Sequence, residues 1–317
     1  MSKQHKILRR AAATFLATAM MASLTAVPAL ATPGVTGTGS TGVTAITVTK
    51  TVTTDGNTYA PNTSFEIDVQ TGAAGTFSDG ENTIAAQAGI EGGLTKTEIK
   101  FSPNADSDTL AEYKETGYLA VDVNAFVKAN ADPGVYHYEV TETASTYEGI
   151  DSDETVYDVY LYLMRTEEDV LYVGYAVCQK QGESGGKADL AFTNDYGQEN
   201  NTTHDVIITK NVEGTLANMS DTFSFDIKVN GADNEVYKVV YTQKGVPVTT
   251  HVSSGDVGIT VSGIGDEDTI HIYGLSASDT YTVTEKNGVS QGYTVTDTVD
   301  GDGDGTVSGK VTVDGTV

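Results

Sequence analysis

Tryptophan is absent, cysteine occurs once, at Cys178, and only six prolines and five histidines are spread over 317 residues. A single cysteine excludes a disulfide within the chain, so the fold rests on its cores or on some other cross-link. The thiol lies in an alternating apolar run with no accompanying histidine motif and reads as a buried, inert group rather than a nucleophile. The histidines show no metal-ligand spacing: His5 lies at the N-terminus, and His137 falls on the strand face opposite Glu142. Asp300 to Gly305 imitates the start of a calcium loop, but Val311 stands where the bidentate glutamate would be, so the run reads as an acidic turn. No Ser-His-Asp set or phosphate loop occurs, and neither a turnover enzyme nor a cofactor is expected. Basic residues are few: 18 Lys+Arg against 44 Asp+Glu give a net charge of -26, which argues against nucleic acid or an anionic membrane as partner.

What is present is an exported, strand-rich chain. Lys3, Lys6, Arg9 and Arg10 precede an apolar run from Ala11 to about Val27 and the small-residue triplet Ala29-Leu30-Ala31, the pattern of a signal peptide cleaved after Ala31. No later stretch is apolar for long enough to span a bilayer, so the mature part is expected to lie outside the membrane. Residues 32–44 form a Gly/Thr-rich leader without periodicity. Thereafter Thr, Val and Tyr alternate with polar residues between Gly-, Asn- and Asp-containing turns, which predicts short β-strands. Asn62, Asn201 and Asn218 fall in glycosylation sequons, a weak signal without a known host.

The alternation repeats. Ile46, Val48, Lys50 and Val52 share one face of a strand, followed by Phe65, Ile67 and Val69; Val206, Ile208, Lys210 and Val212 are followed by Phe223, Phe225, Ile227 and Val229. FEIDV at residue 65 answers FDIKV at residue 225, and Tyr-x-Val-Thr-Glu ends at Glu142 and again at Glu285. Two copies of a domain-sized repeat predict an all-β protein with two tandem immunoglobulin-like antiparallel β-sandwich domains, at 45–197 and 206–317, joined by a polar linker at 198–205. A short helical turn is expected near 124–129, while the strand order of residues 71–132 is not readable.

Three polar residues fall on faces that should be buried: Lys50, Glu142 and Asn194. In a dry core a lysine amine loses its proton more easily and becomes nucleophilic, whereas a carboxyl group holds its proton. Set beside an asparagine carboxamide, such an acid can donate to the carbonyl oxygen and relay a proton from the amine to departing ammonia. The product would be an amide bond between side chains. In the second copy Lys210 and Glu285 recur, but no asparagine follows at the matching place before Val317.

The motifs ITVTK at Ile46 to Lys50, YHYEVTE at Tyr136 to Glu142 and AFTN at Ala191 to Asn194 resemble those of Gram-positive major backbone pilins of the streptococcal isopeptide-linkage family. IITKNVEG at Ile207 to Gly214 and YTVTE at Tyr281 to Glu285 extend the resemblance over nearly all of the mature chain. It implies an isopeptide bond between Lys50 and Asn194 assisted by Glu142, and Lys210 and Glu285 as the matching pair of the second domain, whose asparagine-bearing strand and sorting motif are expected beyond this sequence. It further implies polymerisation by a sortase, with Lys187 as acceptor lysine in a Gly-rich loop. The implied partners are identical pilin subunits, sortase, and possible minor pilins or host surface ligands. The implied location is a pilus on the cell wall. A wall-attached adhesin or stalk built from the same domains is the alternative.

Overall fold

The computed structural model describes residues 35–36, 42–79, 82–183, 186–197, 203–255, 257–297 and 306–310. The signal segment, the acidic run from Asp300 to Gly305 and most of the linker lie outside them. The first domain contains β1 (Val35–Thr36), β2 (Ala45–Thr53), β3 (Ser64–Thr71), β4 (Gly75–Asp79), β5 (Asn82–Ala88), β6 (Thr97–Lys100) and β7 (Glu112–Ala120). A six-residue helix α1 (Val123–Lys128) follows, capped by the Asp122 carboxylate, which accepts from Asn124 N–H. Then come β8 (Gly134–Glu142), β9 (Ile150–Asp151), β10 (Val156–Arg165), β11 (Leu171–Lys180) and β12 (Leu190–Tyr196). The second domain comprises β13 (Thr203–Thr209), β14 (Phe223–Asn230), β15 (Val236–Gln243), β16 (Val246–Ser253), β17 (Ile259–Ile264), β18 (Thr269–Ser276), β19 (Thr280–Glu285) and β20 (Thr306–Lys310). Strand β13 thus begins inside the segment read as linker.

The protein is all-β, two tandem immunoglobulin-like sandwiches, each of two sheets. In the first, one sheet runs β1-β2-β12-β9 with β7 also paired to β2; the other runs β11-β10-β8-β3-β6. Between them pack Ile46, Val48, Phe65, Ile67, Tyr138, Val140, Leu161 and Phe192, the inward residues of the period-two runs. Two pairings depart from the antiparallel expectation, one of them the short parallel contact of β5 with β8 at Gln87 and Ala88. In the other, strands β2 and β12 lie side by side in parallel, with Phe192 opposite Lys50 and Asn194 opposite Val52.

The segment whose topology the alternation left open forms a hairpin, β4 with β5, laid over the outer face of the second sheet. Phe77 stacks on Tyr160 at 3.7 Å, and Val135, Tyr162 and Val177 complete this outer apolar layer. It explains why β8 and β10 carry apolar residues on both faces. His137, on this face, bonds Asp158 through Nε2 (2.7 Å) and Ala73 O through Nδ1 (2.9 Å), so both ring nitrogens beside Glu139 and Asp158 are occupied. Cys178 is fully buried in the main core, and burial pushes its thiol up to about 12.

The second sandwich pairs β13-β18-β15-β16 against β17-β14-β19-β20 around Phe223, Ile227, Val239, Ile270 and Val283. The joint between domains is polar and partly dry. Lys238 Nζ donates to Asn57 Oδ1 (2.9 Å), and Asn62 Nδ2 donates to Asp233 O (2.9 Å). At its centre the hydroxyl of Tyr147 donates to Glu235, and Tyr237 OH lies 2.5 Å from Glu235 Oε2 and 2.9 Å from Asp279 Oδ2. Tyr196 is buried beside them. A side chain at Gly231 would collide with the Tyr237 hydroxyl, so this corner requires glycine.

Candidate functional site

Strand period and sheet pairing bring together the three residues singled out in the first domain. Lys50 is central in β2, Glu142 ends β8 on the facing sheet, and Asn194 lies in β12. All three are buried. Lys50 Nζ is 2.7 Å from Glu142 Oε2, and Asn194 Nδ2 donates to Glu142 Oε1 at 2.5 Å. The carboxyl group therefore bridges two nitrogens, one on each oxygen. Phe65 closes the pocket below the amine, its ring centroid 4.6 Å from Nζ.

Burial dominates the electrostatics. It lowers the pKa of Lys50 and raises that of Glu142, opposed in each by their mutual hydrogen bond and Coulombic attraction. Both shifts favour the neutral pair, an amine beside a carboxylic acid, because two charges in a dry core lose more solvation than a single contact returns. That is the protonation state amide formation requires.

The orientation of the carboxamide corrects one part of the sequence reading. Glu142 was expected to donate to the carbonyl oxygen of Asn194; it faces the amide nitrogen instead. The oxygen points the other way and accepts from the backbone N–H of Asp153 at 2.8 Å. Reversing the amide would set its NH2 against that N–H, two donors face to face, so Asp153 fixes which atom Glu142 meets. Asp153 itself carried no signal beyond its place in a polar run before β10.

The second domain brings Lys210 and Glu285 together at 3.0 Å, with Lys210 over the Phe223 ring. The pair is displaced relative to the first. Glu142 stands opposite Ile67 on β3, but Glu285 stands opposite Phe225, the counterpart of Phe65, two residues back along the strand. Lys210 falls one residue past the end of β13. Glu285 Oε1, the counterpart of the oxygen that receives Asn194, is buried without a hydrogen-bond partner among the described residues. Lys187 is exposed in the loop before β12 and pairs with Asp79 of the β4–β5 hairpin at 3.3 Å, remote from the buried triad in role and setting.

Comparison with solved structures places this architecture. The major pilin protein T3.2 from Streptococcus pyogenes matches with a TM-score of 0.55 and 21% identity, covering 77% of this chain and 82% of that one. A second major pilin from Streptococcus pyogenes gives 0.54 and 24%, covering 78% and 84%. The T-13 major pilin gives 0.51 and 21%, covering 76% and 82%. The chain has the fold of the streptococcal major pilins. Residues 204–317 match a family model described as a domain of unknown function, DUF7601, which coincides with the second sandwich. A search of curated proteins found no match.

Proposed function

We propose that the protein is a structural subunit of a covalently polymerised surface pilus, whose first domain locks itself with an amide bond between Lys50 and Asn194. The observation that carries the reading is Glu142, buried, with one oxygen on the lysine nitrogen and the other on the asparagine nitrogen. The likeness of fold to the major pilins supports it.

The chemistry acts once. The neutral Lys50 amine attacks Asn194 Cγ; as the Nζ–Cγ bond forms, Nζ gives up a proton at Glu142 Oε2. As the Cγ–Nδ2 bond breaks, Glu142 returns a proton from Oε1 to Nδ2, which leaves as ammonia. The carboxylic acid is regenerated, and the escape of ammonia makes the step irreversible in practice.

The topology gives this bond a mechanical meaning. Strands β2 and β12 bring the chain into the first domain and out of it, and they lie in parallel side by side. Tension applied through the two ends of the domain would load the cross-link instead of peeling the strands apart. Treated like a disulfide closing a loop of roughly 145 residues, the bond stabilises the domain by up to about 5 kcal/mol.

Polymerisation by a sortase at Lys187 belongs to the same proposal, supported by the place of this lysine on an exposed loop, where its partly exposed amine pairs with Asp79. The location that follows is a pilus at the cell surface. The decisive experiment is the intact mass of the folded protein, expected short by one ammonia, with the full mass restored in Glu142→Ala. A full mass in the folded wild-type protein rules out the bond.

A further inference from the structure

Amide formation needs a donor for the carbonyl oxygen of Asn194, and Glu142, engaged with the two nitrogens, does not serve it. The backbone N–H of Asp153 occupies that place, 2.8 Å from Oδ1. Asp153 lies between β9 and β10, outside any regular ladder, so the direction of its N–H is set by its own side chain. Oδ1 accepts from Thr155 N–H at 2.8 Å, an Asx turn. Oδ2 accepts from Thr193 N–H at 2.7 Å, fastening the turn to the residue that precedes Asn194 on β12. One carboxylate therefore holds both the donor and the strand that carries the acceptor.

We propose that Asp153 is a positioning residue for the cross-link: its carboxylate clamps the turn to β12 so that its main-chain N–H stabilises the negative charge that develops on Asn194 Oδ1. The inference rests on the reading that Lys50 and Asn194 become joined. When Nζ bonds to Cγ, the carbonyl electron pair moves to Oδ1 and returns as ammonia departs. The Asp153 N–H donates throughout and transfers no proton, so the proton balance stays with Glu142. Removing one such oxyanion donor elsewhere costs about 10²- to 10³-fold in rate. Loss of the clamp misdirects the donor without deleting it, so an effect of about tenfold or more is expected by the same principle.

The charge on Asp153 acts on both partners: it raises the pKa of Glu142 and, against the larger effect of burial, that of Lys50 as well. Burial raises the pKa of Asp153 itself, but the hydrogen bonds from Thr155 and Thr193, with the nearby Lys50, outweigh that and hold the carboxyl below its usual range. The resulting anion contributes to keeping Glu142 protonated.

The test follows ammonia loss by intact mass in full-length chain synthesised in a cell-free system and quenched at intervals. Asp153→Ala is expected to form the bond at least tenfold more slowly than wild type. Asp153→Asn keeps one acceptor, enough for the Asx turn, but sets its NH2 against the Thr193 N–H, so it is expected to recover only part of the rate. The double variant Glu142→Ala/Asp153→Ala, compared with Glu142→Ala alone, separates folding from chemistry, since neither forms the bond; both are expected to keep the same folded circular-dichroism spectrum. Ammonia loss in Asp153→Ala at the wild-type rate overturns the inference and leaves the cross-link standing. An unfolded double variant overturns it by reducing Asp153 to a structural residue, as does full wild-type rate in Asp153→Asn, which lacks the second acceptor the clamp needs. No ammonia loss in wild type overturns the cross-link itself, and this inference with it.

Discussion

The two domains hold the same lysine and glutamate in different surroundings. In the first, the Lys50 side chain is 0% exposed and Glu142 is shared with Asn194; in the second, the Lys210 side chain is 15% exposed and Glu285 Oε1 meets no hydrogen-bond partner among the described residues. The difference comes from register. Moving the glutamate two residues along β14 keeps it on the same face, since the period is two, but carries the pair toward the strand ends. A motif that recurs in sequence thus reproduces the ion pair without reproducing its dryness, and dryness is what shifts Lys50 and Glu142 toward the neutral, reactive pair.

The comparison is broken most directly at Glu142. Replacing it by alanine should prevent the bond, restore the full mass and lower the stability of the first domain by up to about 5 kcal/mol. Thermal denaturation should then show that domain melting about 10–20 °C lower. A melting temperature unchanged despite the restored mass would show that the cross-link adds nothing at equilibrium.

A second test addresses the joint that couples the domains. Tyr237 has one proton to give and lies against two carboxylates, Glu235 and Asp279, with Tyr147 donating to Glu235 and the Ser276 N–H donating to Asp279. Burial first, and the charges of Glu235 and Glu148, raise the pKa of Asp279 to about 7. A carboxyl raised in the folded state favours folding while both states are protonated. That advantage is lost as the pH rises from the unfolded value near 4 through about 7. Stability should therefore fall by a few kcal/mol across that window, reaching its floor above pH 7. In Asp279→Asn this part of the slope should vanish. Urea denaturation at pH 5 and pH 8 measures it, and equal slopes in both proteins would assign the titration elsewhere.

Glu285→Ala sharpens the contrast from the other side. No mass change is expected, because the described second domain presents no asparagine to Glu285, and the loss should be about 1–3 kcal/mol, the cost of leaving a largely buried amine without its acceptor. An ammonia deficit sensitive to Glu285→Ala would reveal a second bond. Smallest in stability is Lys187→Ala: its pair with Asp79 is partly buried at the surface and worth about 1 kcal/mol, yet sortase-dependent ladders should disappear. Ladders that persist would pass the acceptor role to another lysine.

Much of this molecule was legible because strands write their faces into the sequence. Alternation picked out the inward residues of β2, β3 and β14, and it marked Lys50, Glu142 and Asn194 as polar residues on buried faces. The hairpin of β4 and β5 was not legible: its partner is the outer face of a distant sheet, and Phe77 on Tyr160 leaves no local period. Asp153 escaped for a similar reason. Its side chain serves Thr155 two residues away and Thr193 forty residues away, and only the first of these has a sequence signature.

What the sequence determined by itself was therefore which side chains enter the core, since burial follows from a period of two whatever the partners are. Tertiary structure decided which atom faces which. The amide of Asn194 turns its nitrogen to Glu142 because a backbone N–H from a neighbouring turn claims its oxygen. The parallel contact of β2 with β12 and the two-residue offset of Glu285 were settled the same way, by pairings between segments far apart in the chain. Such choices depend on hydrogen-bond direction across strands, which no one-dimensional pattern records.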